Sequence, residues 1–369
     1  MRGALLLFTL AAAGCRGRLA RIAVIVSEND AGHVFLFDPS GTSPGQRALE
    51  QFADIRTGIT IDRGRAAVII VRAAVGASEH ELWRVRATGG TLRPVARLAS
   101  GTPTGLVSVS DDGSVALLES SQGQRSASVF VYRASRGGFA EAILALRYIS
   151  GSDMTPDGRR ALVSGAPASC VSTALSGCSL VIYALDLTEA TPIPRIVADG
   201  PRANYQPRFV PETHGDEFAY QTTENDPSPA CATSLNACRH DIMMRDWAGV
   251  RAPQVLRRDA IGVNYSPTGQ RVAYLTHREP EARCPTLPCS RASLHVGRID
   301  GEGIRRLVTA GVMSFNQHFW SWDDEWLAYA GEGHGPGIRR ILHTVRRDGG
   351  HGRAIPNAFV IGWIDPRAR

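Results

Sequence analysis

The feature that most limits how this chain can fold is a short turn that recurs along it. The clearest copy is Asn264-Tyr265-Ser266-Pro267-Thr268-Gly269-Gln270-Arg271-Val272-Ala273-Tyr274-Leu275. Ser266-Pro267-Thr268-Gly269 has the composition of a type I β-turn. The Ser hydroxyl can bond the turn backbone, Pro supplies φ near −65°, and Gly closes the turn. Residues 271–275 then read as a buried strand.

Six further segments align with this copy. They start at Thr57-Gly58-Ile59-Thr60, Val107-Ser108-Val109-Ser110-Asp111-Asp112-Gly113 and Ser152-Asp153-Met154-Thr155-Pro156-Asp157-Gly158. Pro207-Arg208-Phe209-Val210-Pro211, His318-Phe319-Trp320-Ser321-Trp322-Asp323-Asp324 and Val360-Ile361-Gly362-Trp363-Ile364-Asp365-Pro366 complete the set. An apolar run follows the turn in most copies, as at 66–71 and 161–163. A third run alternates polar and apolar, as at 81–86 and 128–133, the period of a strand with one buried face. Tight polar turns such as Asp38-Pro39-Ser40-Gly41 and Asp300-Gly301-Glu302-Gly303 end the third run, and a short fourth strand closes the unit.

Four antiparallel strands repeated every roughly 40–60 residues predict an all-β chain built as a β-propeller. The count is seven blades, or six if the divergent copy at 210–220 is not a unit. The first segment, 22–26, matches a second strand, and the last, 359–364, is a first strand with nothing after it. The sequence therefore predicts a ring closed by the C-terminal strand joining the N-terminal blade, which removes the open sheet edge. The copies at 266–274, 155–161 and 110–114 resemble the Ser-Pro-Asp-Gly repeat of TolB-like and WD-repeat-like propellers. Similar repeats occur in the propellers of prolyl-oligopeptidase-type enzymes. That resemblance implies a fold and leaves function open.

The start, Met1-Arg2-Gly3 and then an apolar run over 4–13, reads as a secretory signal too short to span a bilayer. Gly14-Cys15 resembles the lipobox of bacterial lipoproteins, in which the Cys is acylated; Ala12 stands where that pattern has Leu. The alternative is ordinary cleavage after Ala13. The division expected is a signal peptide at 1–14, a lipid-anchor linker at 15–20 and a propeller domain at 21–369. Cysteine parity agrees with an anchor at Cys15. The other six form close pairs, Cys170/Cys178, Cys231/Cys238 and Cys284/Cys289, read as local disulfides of an exported protein. Their spacings fit structural zinc poorly, so no metal and no cofactor is expected.

Net charge is +6 and every basic residue is Arg. No basic run exceeds two residues and no nucleic-acid motif accompanies the charge, so nucleic acid is not an expected partner. Enzyme motifs are also missing: there is no Gly-x-Ser-x-Gly elbow, His-Glu-x-x-His or phosphate-binding loop.

Two binding surfaces remain. The cysteine-paired loops, between second and third strands of consecutive units, would form a stiff wall on one face. Arg202, Asn204, Tyr205, Asn264, Asn316, Gln317 and His318, placed where innermost strands are expected to begin, are candidates for a ligand or peptide at the channel mouth. The expected function is non-catalytic binding of an envelope protein or peptide by a monomer held at the outer membrane through Cys15. A hydrolase or lyase at the channel mouth is the alternative.

Overall fold

The computed structural model describes residues 21–28, 31–40, 46–47, 59–61, 67–73, 80–86, 93–98, 105–110, 113–121, 126–136, 140–170, 178–226, 228, 231, 238–276, 292–312, 318–332 and 340–364. The leader expected at 1–14 and the linker expected at 15–20, with Cys15, lie outside them, as do Cys284, Cys289, Asn316 and Gln317.

All pairing is antiparallel, in five sheets. Two of four strands stand alone: Ile59–Ile61 with Ala67–Ala73, His80–Arg86 and Arg93–Leu98, and Asn204–Phe209 with Glu217–Thr222, Asp241–Asp246 and Gln254–Arg257. A seven-stranded sheet runs from Gly105–Val109 to Arg195–Ala198 and turns on the long strand Ala140–Met154. The first half of that strand pairs with Ala127–Arg133, and its second half, after a bulge, pairs with Arg160–Pro167. One strand is thus the outer edge of one unit and the inner edge of the next. The largest sheet covers Ala260–Tyr265 to His351–Pro356, its two halves bridged by the single pair Val312 and Gly331. In the last sheet Arg21–Glu28 pairs with Ala31–Phe37 on one side and Ala358–Ile364 on the other. The pairing expected between the first and last strands is present.

The turns explain why the units repeat. In four copies the residue at the first position, Ser110, Thr155, Ser266 or Ser321, receives the same bond pattern. Its N–H donates to the carbonyl five residues on, at 2.8–2.9 Å, and its own carbonyl accepts from the fourth turn residue. Its hydroxyl accepts the N–H that opens the following strand in each copy. The fourth residue is left-handed: Gly113 and Gly158 at φ 70°, Gly269 at 76°, Asp324 at 56°. The Val210 copy replaces the Ser-Pro-x-Gly turn with a 3-10 turn, Pro211–Thr213, and Thr213 takes over the hydroxyl role by accepting from the Glu217 N–H.

Those glycines also set how units touch. A Cβ on Gly158 would lie 2.9 Å from Ser110 Cβ, one on Gly215 2.6 Å from Thr155 Cγ2, and one on Gly269 2.5 Å from Glu212 Cγ. Each turn therefore packs its barest point against the preceding turn. Thr268 to Asp324 continues the series by a hydroxyl–carboxylate bond.

The core lies between units rather than within them. Leu162, Ile182 and Val197 of one sheet pack on Phe209, Phe218 and Tyr220 of the next. Val210, Ala219 and Ile242 pack on Val263, Tyr265 and Tyr274, and Ile261, Leu275 and Leu294 pack on Trp320, Leu327 and Tyr329. Trp326 and Ile355 reach Trp363 and Phe37. Both faces of a middle sheet are covered, which is why Arg160–Pro167 is buried at six successive positions. A unit taken alone would expose two apolar faces.

Inner strands contact one another in succession, from Ile59–Ile61 through Gly105–Val109, Ala140–Met154, Asn204–Phe209, Ala260–Tyr265 and His318–Trp320 to Ala358–Ile364, which touches Ile59–Ile61 again.

Candidate binding face

Antiparallel order puts the turns after first and third strands at one end of each unit, here the turn end. The connections from second to third strands lie at the other. Arg160 opposite Asp186 and Glu217 opposite Asp246 fix this for two adjacent units. The disulfides Cys170–Cys178 and Cys231–Cys238 lie in the second-to-third connections of these units. Two such bridges fit an exported protein.

Asp226 organises the second loop. It is buried, at 6% exposure. One carboxylate oxygen accepts the Ser228 N–H at 2.8 Å and the other the Arg239 N–H at 2.6 Å, so a single side chain holds both ends of the disulfide loop. Burial pushes the Asp226 pKa up, but these two N–H donors, helped by Arg202 and His240, outweigh it and hold the group below the usual range. Beside it Asp241, also buried, accepts the Asn225 amide at 2.9 Å and the Asp259 N–H at 3.0 Å. Arg239 forms an ion pair with Asp259.

At the foot of this loop the Tyr205 hydroxyl is 2.6 Å from His240 Nδ1, with the rings edge to face. Burial raises the phenol pKa far above its usual value, so Tyr205 keeps its proton and shares a hydrogen bond with the imidazole whose donor is set by the His240 tautomer. Asn204 is buried and donates to Glu224 at 2.9 Å, while Glu224 itself is exposed at the rim. Tyr148 and Tyr205 pack with Cys170, Cys178, Leu180 and Ala203, and Arg147 donates to the Cys170 carbonyl at 2.7 Å. The two loops are therefore tied to one polar and aromatic base. Chemically it offers a rigid rim of donors and acceptors with one proton-sharing Tyr–His pair.

The candidates named from sequence divide. Arg202, Asn204 and Tyr205 come together here. Asn264 does not: its strand begins four residues earlier, at Ala260, so Asn264 lies near the turn end, where its carbonyl accepts from Trp320 Nε1 at 3.2 Å. His318 is the first described residue of its strand, His318–Trp320, three residues before the Ser321 turn. Turn composition locates the units but does not fix the length of each inner strand. The sequence alone does not single out Glu224, Asp226, His240 or Asp241. Two acids flanking a cysteine pair were the available signal, yet acids in polar loops are common.

Among the described residues one His/Cys/Asp/Glu group has donor atoms close enough for a metal: Asp226 with Cys231 and Cys238. Its sulfurs are joined to each other and its carboxylate is occupied by two amides, so it does not have the donors of a metal site. At the turn end a polar cleft of about 540 Å³ is lined by Glu212, Gln270, Arg271, Arg298, Ile299 and Asp300. Arg298 there is ion-paired to Asp300 at 2.8 Å. Among the described residues no helix is long and apolar enough to cross a membrane.

Sheet order and repeated turns define a β-propeller, and solved structures agree. TolB from Acinetobacter baumannii is similar at 17% identity, with 92% of this chain and 81% of that chain covered and a TM-score of 0.50. An oligogalacturonate lyase in complex with manganese is similar at 10% identity, 91% and 84% coverage and a TM-score of 0.54. The β-propeller domain of the trilobed protease from Pyrococcus furiosus follows at 13% identity, 79% and 78% coverage and 0.50. At such identities the likeness speaks for the fold alone. No protein-family model and no curated protein matches the chain.

Proposed function

We propose that this chain is an exported, monomeric propeller of seven blades that binds an envelope protein or peptide, without catalysis, through its disulfide end. The observation that carries this reading is the Asp226 latch, which adds two buried hydrogen bonds to a loop already closed by a disulfide. Loops held this firmly lose little conformational freedom on binding, which favours recognition. Closure into a ring of seven is supported by the pairing of Arg21–Glu28 with Ala358–Ile364 and by the unbroken succession of inner strands. Lipidation at Cys15, after a signal at 1–14 and before a linker at 15–20, rests on the sequence. The third cysteine pair, Cys284 with Cys289, would extend the wall to the next unit.

Affinity capture from envelope extracts tests this, comparing the intact chain with one whose loops at 168–179 and 224–239 are shortened. A partner held by the first and lost by the second is expected; identical capture by both would overturn the reading.

The second reading is a hydrolase or lyase at the channel mouth, favoured by the 2.6 Å Tyr205–His240 bond, since a phenol paired with an imidazole can pass a proton. A turnover lost in Tyr205→Phe while partner capture is kept would favour it.

A further inference from the structure

We infer that the turn end of the two disulfide-bearing units rests on a phospholipid surface, with Ile193 and Val250 inserted among the headgroups. Four large apolar side chains are exposed among the described residues: Ile193 at 82%, Val250 at 83%, Ile196 at 52% and Val255 at 43%. All four belong to these two adjacent units. Ile193 and Val250 follow third strands, so they project at the turn end.

Both are held out rigidly. Ile193 stands between Pro192 and Pro194, which restrict the backbone on each side. Val250 follows a turn clamped from two directions. Arg195, from the neighbouring unit, donates to the Ala248 and Trp247 carbonyls at 2.8 and 2.7 Å, and Arg245 donates to the Gly249 carbonyl at 2.8 Å. Asp246 completes the clamp by accepting the Val250 and Arg251 N–H groups at 3.1 and 2.9 Å. The two aliphatic tips thus lie at one junction, joined through Arg195.

The shape and charge of this junction select the occupant. The tips sit on projecting turns, not in a groove, which suits a soft surface better than a folded ligand. Arg195 and Arg245 bond carbonyls and, among the described residues, no carboxylate, so both place positive charge beside the tips, which favours phosphates. Asp216 and Glu217 nearby are ion-paired to Arg160 and Arg251, so acids and bases nearly balance and apolar insertion leads. Arg21, where the described chain starts, pairs beside Ile22 opposite Phe37 and so lies at this same end, six residues from Cys15.

The test places a photoreactive diazirine side chain at 193, at 250, or at 224 on the opposite end, in the full chain with Cys15 and in its Cys15→Ser form. Each is irradiated with vesicles of phosphatidylethanolamine and phosphatidylglycerol, and adducts are identified by mass. Lipid adducts at 193 and 250 exceeding those at 224 by about tenfold, in both forms, are expected. No excess over 224 overturns the inference, as does an adduct with a second copy of the chain in place of lipid. Excess in the Cys15 form but not in Cys15→Ser overturns it too, because the contact would then be imposed by the anchor alone.

Discussion

The carboxylate of Asp226 accepts the backbone N–H of Arg239 at 2.6 Å, across a loop that the Cys231–Cys238 bridge also closes. Replacing it by Ala strands that amide and the one of Ser228. The expected loss is about 2–3 kcal/mol, read as a lower urea midpoint, with faster amide exchange confined to residues 223–241.

The same group makes a pH prediction with a definite sign. Its folded pKa is depressed below the ordinary value of 3.8. Its contribution is therefore complete above the unfolded pKa and is lost as pH falls through the lower folded one. Asp226→Asn should flatten the stability profile below about pH 4 and leave it parallel to the parent at neutral pH.

Gly269 tests the turn-on-turn packing. It is left-handed at φ 76°, and a methyl there would meet Glu212 Cγ. Gly269→Ala should cost about 1–3 kcal/mol by urea denaturation. Gly301→Ala, at φ 87° with nothing near it, carries the backbone strain alone and should cost less.

His295 gives an acid limb at higher pH. Its ring stacks on Tyr274 at 5.5 Å, and Thr276 Oγ1 lies 3.0 Å from its Nε2. Burial first, then the charges of Arg306 and Arg257, lower its pKa from 6.5. The folded state resists the proton that the unfolded chain accepts, so stability is full above about 6.5 and declines as pH falls from there. Urea midpoints between pH 7 and 5 should fall in the parent and less in His295→Gln.

Removing the second bridge by Cys231→Ser with Cys238→Ser should lower stability by about 2–3 kcal/mol. Because Asp226 still holds the loop ends, the double variant should keep its overall fold, seen as unchanged far-ultraviolet circular dichroism. Combined with Asp226→Ala, the loop should become open to proteolysis.

What the residues reveal by themselves depends on how far apart the interacting groups lie. Ser266-Pro267-Thr268-Gly269 carries its own geometry, since hydroxyl, ring and bare α-carbon act within five residues. Cys170–Cys178 and Cys231–Cys238 close over eight and seven residues, so pairing by nearness was already legible. At Val210, by contrast, a 3-10 turn does the same work through Thr213, and a motif search finds only a degraded copy.

The candidate face and the exposed rim depend on tertiary structure. Tyr205 and His240 are separated by 35 residues, and Arg195 reaches turn carbonyls 52 and 53 residues away. Local preference cannot encode such partners, because which side chains meet depends on strand lengths and bulges. Asn264 illustrates this: the start of its strand at Ala260 and the bulge between Ile261 and Asn264 carry it to the turn end. The chain's own chemistry decided that units would form and repeat; packing one sheet face against the next decided which residues share an end.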